Sequence, residues 1–148
     1  MKIFFIFAII LFLNVYASAQ TINNTSIQKT AAAEAKVSPA YAEILLRKTE
    51  RESELEEFLI DYTEEFPKVK EIKFELSLLQ QETDKILAVK ASETAKLSLA
   101  LGKLMVRKIE LETDLWNLRR QYKDEHAEVR RAKRKIEIYE KAIKEILP

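Results

Sequence analysis

The sequence repeats itself. Displaced by 60 residues, positions 40–87 match positions 100–147 at 12 of 48 sites. The identities include Arg47/Arg107, Lys48/Lys108, Glu50/Glu110, Glu52/Glu112, Leu55/Leu115, Tyr62/Tyr122, Val69/Val129 and Lys73/Lys133. Conservative pairs such as Lys70/Arg130, Leu76/Ile136 and Leu78/Ile138 extend the match. The chain therefore reads as a duplicated unit of about 50 residues.

Each unit has a helical period. In the first, Tyr41, Leu45, Leu55, Leu59 and Tyr62 fall on steps of three and four, with Lys48 and Glu52 filling two places. Beyond Pro67 the stripe resumes at Val69, Ile72, Leu76, Leu79, Thr83 and Ile86. The second unit repeats it with Leu97, Leu101, Leu104, Lys108, Leu111, Leu115, Leu118 and Tyr122, then Val129, Ala132, Ile136, Tyr139, Ile143 and Ile146. This spacing puts a narrow apolar stripe on one face of each helix. No stretch alternates with the period of a strand, and one Gly and three Pro leave little turn chemistry for a sandwich or barrel.

Pro67 lacks an amide hydrogen and suits the first position of a new helix, so the first unit should fold back there. The second unit has Ala127 at that place, and Asp124 is a candidate cap for the helix that follows. Residues 89–96 are polar but contain neither Gly nor Pro. Ser92 or Thr94 can cap a new helix there, or a single helix can run from Pro67 to about Tyr122, tolerating Gly102 at a cost of about 1 kcal/mol. The expected fold is all-α: tandem antiparallel hairpins of three or four long helices, unit one over 38–90 and unit two over 91–148.

Residues 1–19 read as a secretory signal. Lys2 precedes an apolar run from Ile3 to Tyr16, and Ala17-Ser18-Ala19 fits the cleavage pattern, leaving Gln20 first. The run is short for a membrane span, which needs about 20 apolar residues. Residues 20–37, rich in Thr, Asn, Ser, Gln and Ala, read as a flexible linker leading to Ser38-Pro39. An exported protein, periplasmic or extracellular, with no membrane helix after cleavage is expected.

Chemistry is sparse. The chain has no Cys and a single His, His126, which removes thiolate and His-based metal sites and His-dependent triads. His126 falls at the second turn and reads as a solvated turn residue. No enzyme activity, cofactor or metal is expected. Charge is divided unevenly: residues 20–95 hold 10 Lys/Arg against 15 Asp/Glu, and residues 96–148 hold 14 against 9. Such halves favour packing on one another, within a chain or head to tail between chains. The basic cluster Arg130, Arg131, Arg134 and Lys135 is either the solvated outer face of the last helix or a grip for an anionic polymer. Export argues against nucleic acid. Tyr62 and Tyr122 occupy matching places at the ends of helices, and Trp116 has no counterpart in unit one, which makes it the first candidate for a contact surface.

The line Leu55-Glu-Glu-Phe58-Leu-Ile-Asp-Tyr62-Thr-Glu-Glu-Phe66-Pro67-Lys-Val69 and its partner Leu115-Trp-Asn-Leu118-Arg-Arg-Gln-Tyr122-Lys-Asp-Glu-His126-Ala127-Glu-Val129 resemble a known stretch. It is the Leu-x-x-Leu-x-x-x-Tyr-x-x-x-His-Pro-x-Val of the periplasmic coiled coil in polysaccharide chain-length determinant proteins. The resemblance implies helix, turn and returning helix, and an envelope location. Each copy departs at one place, Phe66 for His and Ala127 for Pro. The two membrane helices of that family have no counterpart here, so a role in polysaccharide export is not carried over. The expected function is that of an exported coiled-coil interaction or spacer protein, partnered by copies of itself or another envelope protein. A chaperone-like or anionic-polymer-binding protein using the basic last helix is the second expectation.

Overall fold

The structure is a computed structural model that describes residues 30–147. The expected signal and the linker up to residue 29 lie outside the described residues. After a short helical segment over 30–36, four long helices follow in order: α1 (Pro39–Asp61), α2 (Pro67–Leu87), α3 (Leu99–Arg119) and α4 (Ala127–Ile146), with a 3-10 segment, Ala91–Lys96, between α2 and α3. No strand occurs among the described residues, and none of their helices is long and apolar enough to cross a membrane.

The breaks between helices have local causes. Ser38 caps α1 by accepting a hydrogen bond from the Tyr41 amide, and Pro39 opens the helix. Ser98 caps α3 in the same way, accepting from the Leu101 amide. The first turn ends α1 at Tyr62, whose amide donates to the Phe58 carbonyl, and starts α2 at Pro67. The second turn brings the Tyr122 amide to the Leu118 carbonyl, 2.8 Å away, and starts α4 at Ala127 without a proline. The helix over 67–122 is thus interrupted, giving four helices. Asp124 is not the cap of α4. His126 takes that place, its Nδ1 accepting from the Glu128 amide at 3.3 Å, while Asp124 bonds Lys133 and Arg119.

The helices run alternately up and down, so both hairpin turns lie at one end. Neighbours α1 and α2, α2 and α3, and α3 and α4 are antiparallel, whereas α1 and α3 run the same way, Ala40 beside Gly102 and Arg47 beside Glu110. α3 packs against all three other helices, and α4 leans chiefly on α3. A stripe of two apolar residues per heptad cannot serve a helix with three neighbours. Accordingly α3 also buries Met105, Ile109 and Thr113, which its expected seam omits. The crossing of α1 on α3 is close enough for the Ala40 amide to donate to the Leu97 carbonyl at 3.2 Å.

The larger apolar cluster fills the end opposite the turns, around Ile44, Leu79, Ile86, Leu97, Leu101, Met105 and Ile109. A second joins α3 to α4 near the turn through Leu111, Leu115, Val129, Ala132 and Ile136. Residues 30–36, expected to be linker, are helical, and Ala31 and Ala35 are buried. Spaced by four, these small side chains share a face that lets the segment lie close to the bundle, Ala35 within the larger cluster.

A layer of charge crosses the middle. Lys108 of α3 is buried and donates to Glu82 of α2 at 2.7 Å, with Glu112 3.5 Å away and Lys85 also on Glu82. Beside it Arg47 of α1 bonds buried Glu75 at 2.8 Å and approaches Glu110 at 3.5 Å. Burial pushes the Glu82 carboxyl up, but hydrogen bonds from Lys108 and Lys85 outweigh it and hold the group below its ordinary value. Burial likewise opposes the Lys108 charge, and the bond to Glu82 more than restores it. Glu112 is the exception: burial, with the nearby Glu82 and Glu140 carboxylates, raises it despite Lys108.

Candidate interaction surface

The sequence of α4 places most of its apolar residues on one side. Val129, Ala132 and Ile136 are buried, and Tyr139 packs partly against them. The opposite side carries Arg130, Arg131, Arg134, Lys135, Ile138 and Lys141, all exposed. Arg131 pairs with Glu128 on the next turn at 2.7 Å. Arg130, Arg134, Lys135 and Lys141 have no acidic partner among the described residues. Ile138, in their midst, is 66% exposed. The basic cluster is therefore not neutralised by acids across the hairpin.

The flank formed by α1 has the opposite sign. Its 23 residues contain seven acids and three bases. Two of the bases reach α2, Arg47 to Glu75 and Lys48 to Gln80, and Arg51 pairs with Glu54 on α1 itself. Outward, Glu56, Glu57 and Asp61 have no basic partner among the described residues. Ile60, 82% exposed, lies among them, and Leu46, 59% exposed, lies lower on the same side.

The turn end gathers aromatic rings. Tyr62 stacks on Phe66 with centroids 4.1 Å apart, and Tyr122 stacks on His126 at the same 4.1 Å. Both tyrosines remain partly exposed, 46% and 41%. Trp116 behaves differently. It stacks on Phe74 of α2 at 5.2 Å, and the Arg120 guanidinium sits 4.9 Å from its ring centre. Half-buried between two helices, it joins α2 to α3 and leaves part of its surface open.

Next to it a cavity of about 620 Å³ opens between the first turn and the end of α3, lined by Pro67, Lys68, Glu71, Asn117, Arg120 and Gln121 among others. Its polar groups largely satisfy one another: Glu71 accepts from Lys68 at 2.6 Å and from Asn117 at 2.7 Å. Burial opposes the Glu71 charge, yet these bonds hold its carboxyl below the ordinary value. No cluster among the described residues can hold a metal ion.

Arg130, Arg131, Arg134 and Lys135 lie together on the outer side of α4, and Tyr62 and Tyr122 both lie at the turn end. Ile138 and Ile60 were missed. Both fall off the apolar stripe, but so do Ile44, Met105 and Ile109, which are buried, so period alone does not mark the exposed pair. No protein-family profile, curated protein or solved structure matches the chain.

Proposed function

We propose that the protein is an exported, non-enzymatic interaction or spacer module of the cell envelope, made of two copies of one helical hairpin, with α4 as its binding face. Sixty residues separate the capping serines Ser38 and Ser98, the stacked pairs Tyr62–Phe66 and Tyr122–His126, and the helix starts Pro67 and Ala127. That agreement of caps and turns supports duplication of a single unit.

The observation that carries the binding reading is the set Arg130, Arg134 and Lys135, lacking acidic partners around exposed Ile138. A helix of 20 residues, about 30 Å long, with bases framing an apolar side chain suits an acidic protein surface. An anionic polymer is the second reading. It is favoured by the half-open Tyr122–His126 stack at the turn from which the arginines begin.

Photo-crosslinking in the native envelope tests the proposal, with the probe at Arg134 or Ile138 and, as control, at exposed Ser77 of α2. Discrete adducts from the α4 positions alone are expected. Absence of adducts, or the same adducts from Ser77, contradicts it. Salt-sensitive retention of the purified protein on immobilised polyphosphate, lost in R130E/R134E, selects the polymer reading.

A further inference from the structure

We propose that the acidic outer face of α1 and the basic outer face of α4 are two halves of one contact, so that copies of the chain associate side by side. This rests on the interaction-module reading and names the partner: a second copy.

The two faces are unsatisfied within the molecule. The helix pairs that pack closely are α1 with α2, α1 with α3, α2 with α3, and α3 with α4. α1 and α4 are not among them, so they form separate flanks. α1 carries seven acids against three bases, and α4 seven bases against four acids. In the interior such charges find partners, as Arg47 and Lys108 do. On the flanks Glu56, Glu57 and Asp61 on one side, and Arg130, Arg134 and Lys135 on the other, have none among the described residues.

Their heights agree. α1 ends at Asp61 and α4 begins at Ala127, both at the turn end. A neighbour displaced sideways without rotation sets its α4 antiparallel to α1, the arrangement of every hairpin within the chain. Glu56, Glu57 and Asp61 then lie level with the first two turns of α4, where Arg130 and Arg134 project. Ile138 stands 11 residues from the start of α4 and Leu46 15 residues from the end of α1, which at 1.5 Å per residue leaves them about 6 Å apart in height. Exposed Ile60 meets the aliphatic stems of the arginines. Pairing two α4 faces about a two-fold axis would oppose like charges. The contact is therefore heterologous: each copy offers one acidic and one basic flank, and rows extend until they close.

Sedimentation velocity on the purified protein decides the matter at about 0.05 M and 0.5 M salt, where screening lengths differ several-fold. The wild type should form concentration-dependent larger species at low salt and monomer at high salt. R130E/R134E, which reverses the outer patch of α4, and E56K/E57K, which reverses the outer patch of α1, should each stay monomeric at low salt while keeping wild-type helicity by circular dichroism. Mixed together they should associate again, because each supplies the flank the other lacks. A wild-type monomer at both salts overturns the proposal, as does association that neither reversal affects. The envelope crosslinks separate the two readings. Adducts from Arg134 to a different molecule, with monomer in solution, end self-association alone, and no adducts end both.

Discussion

Gly102 of α3 lies so near Ala40 of α1 that a methyl group on it would come 2.9 Å from the Ala40 Cα and 2.9 Å from the Glu43 Cβ. The first neighbour is backbone, so relief requires the two helices to part. Helix propensity favours alanine over glycine by about 1 kcal/mol, but overpacking of this kind costs about 1–3 kcal/mol. Gly102→Ala should therefore lower the denaturant midpoint. A midpoint at or above wild type would show that the crossing is looser than described.

Ala127 holds the first position of α4, as Pro67 holds that of α2, and no hydrogen bond uses its amide. The preceding His126 has φ −63° and ψ 141°, a conformation compatible with a following proline. Ala127→Pro should stabilise the protein by about 0.4–1 kcal/mol through the unfolded chain. Thermal melting reads this directly, and a lower Tm would contradict it.

Replacing Lys108 with Met leaves Glu82 buried with only Lys85 beside it. A loss of about 3 kcal/mol is expected. Adding Glu82→Leu should return much of it, since the pair is then removed together. Urea unfolding of the single and double variants tests this, and additive losses would count against the coupling.

Acid should unfold the protein partly through Glu82. Its carboxyl is held below the ordinary 4.5 in the fold, so its contribution is present above that value and lost as pH falls through the lowered one. Glu112 has the opposite sign. Raised in the fold, it contributes below 4.5 and ceases to do so as pH rises through its higher value. Glu112→Gln should thus raise stability at neutral pH, and Glu82→Gln should lower it. Melting curves of both variants across pH 3 to 7 check the signs.

Ile136 is buried where α4 meets α3. A carboxylate there costs about 3 kcal/mol or more. Because α4 leans chiefly on α3, Ile136→Asp should release α4 while α1 to α3 stay folded. Hydrogen exchange should rise in residues 127–146 and remain slow in α2. Uniformly fast exchange would mean that all four helices fold as one.

The hairpins were legible because their causes are local. The Ser38 cap, Pro67 and an apolar period of three and four residues act within a few positions of one another, whereas α3 is capped by Ser98 and not by the expected Ser92 or Thr94. Met105 and Ile109 were not, because a count of seam positions presumes one neighbour per helix and α3 has three. The capping of α4 went to His126 instead of Asp124 because two basic residues, Arg119 and Lys133, draw the aspartate away. The arginines of α4 could be assigned to an outer face from period alone. Whether acids would neutralise them depended on which helices touch, which no local pattern records.

The charged layer also governs alignment. Apolar stripes repeat every few residues, so two helices held by them alone can slide by one turn, about 5.4 Å, with modest loss. The inward acids of α2, Glu75 and Glu82, are two turns apart, with Leu78 and Leu79 between them. A one-turn slip of α2 against α3 would press Lys108 onto Leu78 in one direction or Ile86 in the other, and strand Glu82. Correct alignment is thereby set apart from its nearest competitors by an ionic key, which keeps both turns level at one end of the molecule.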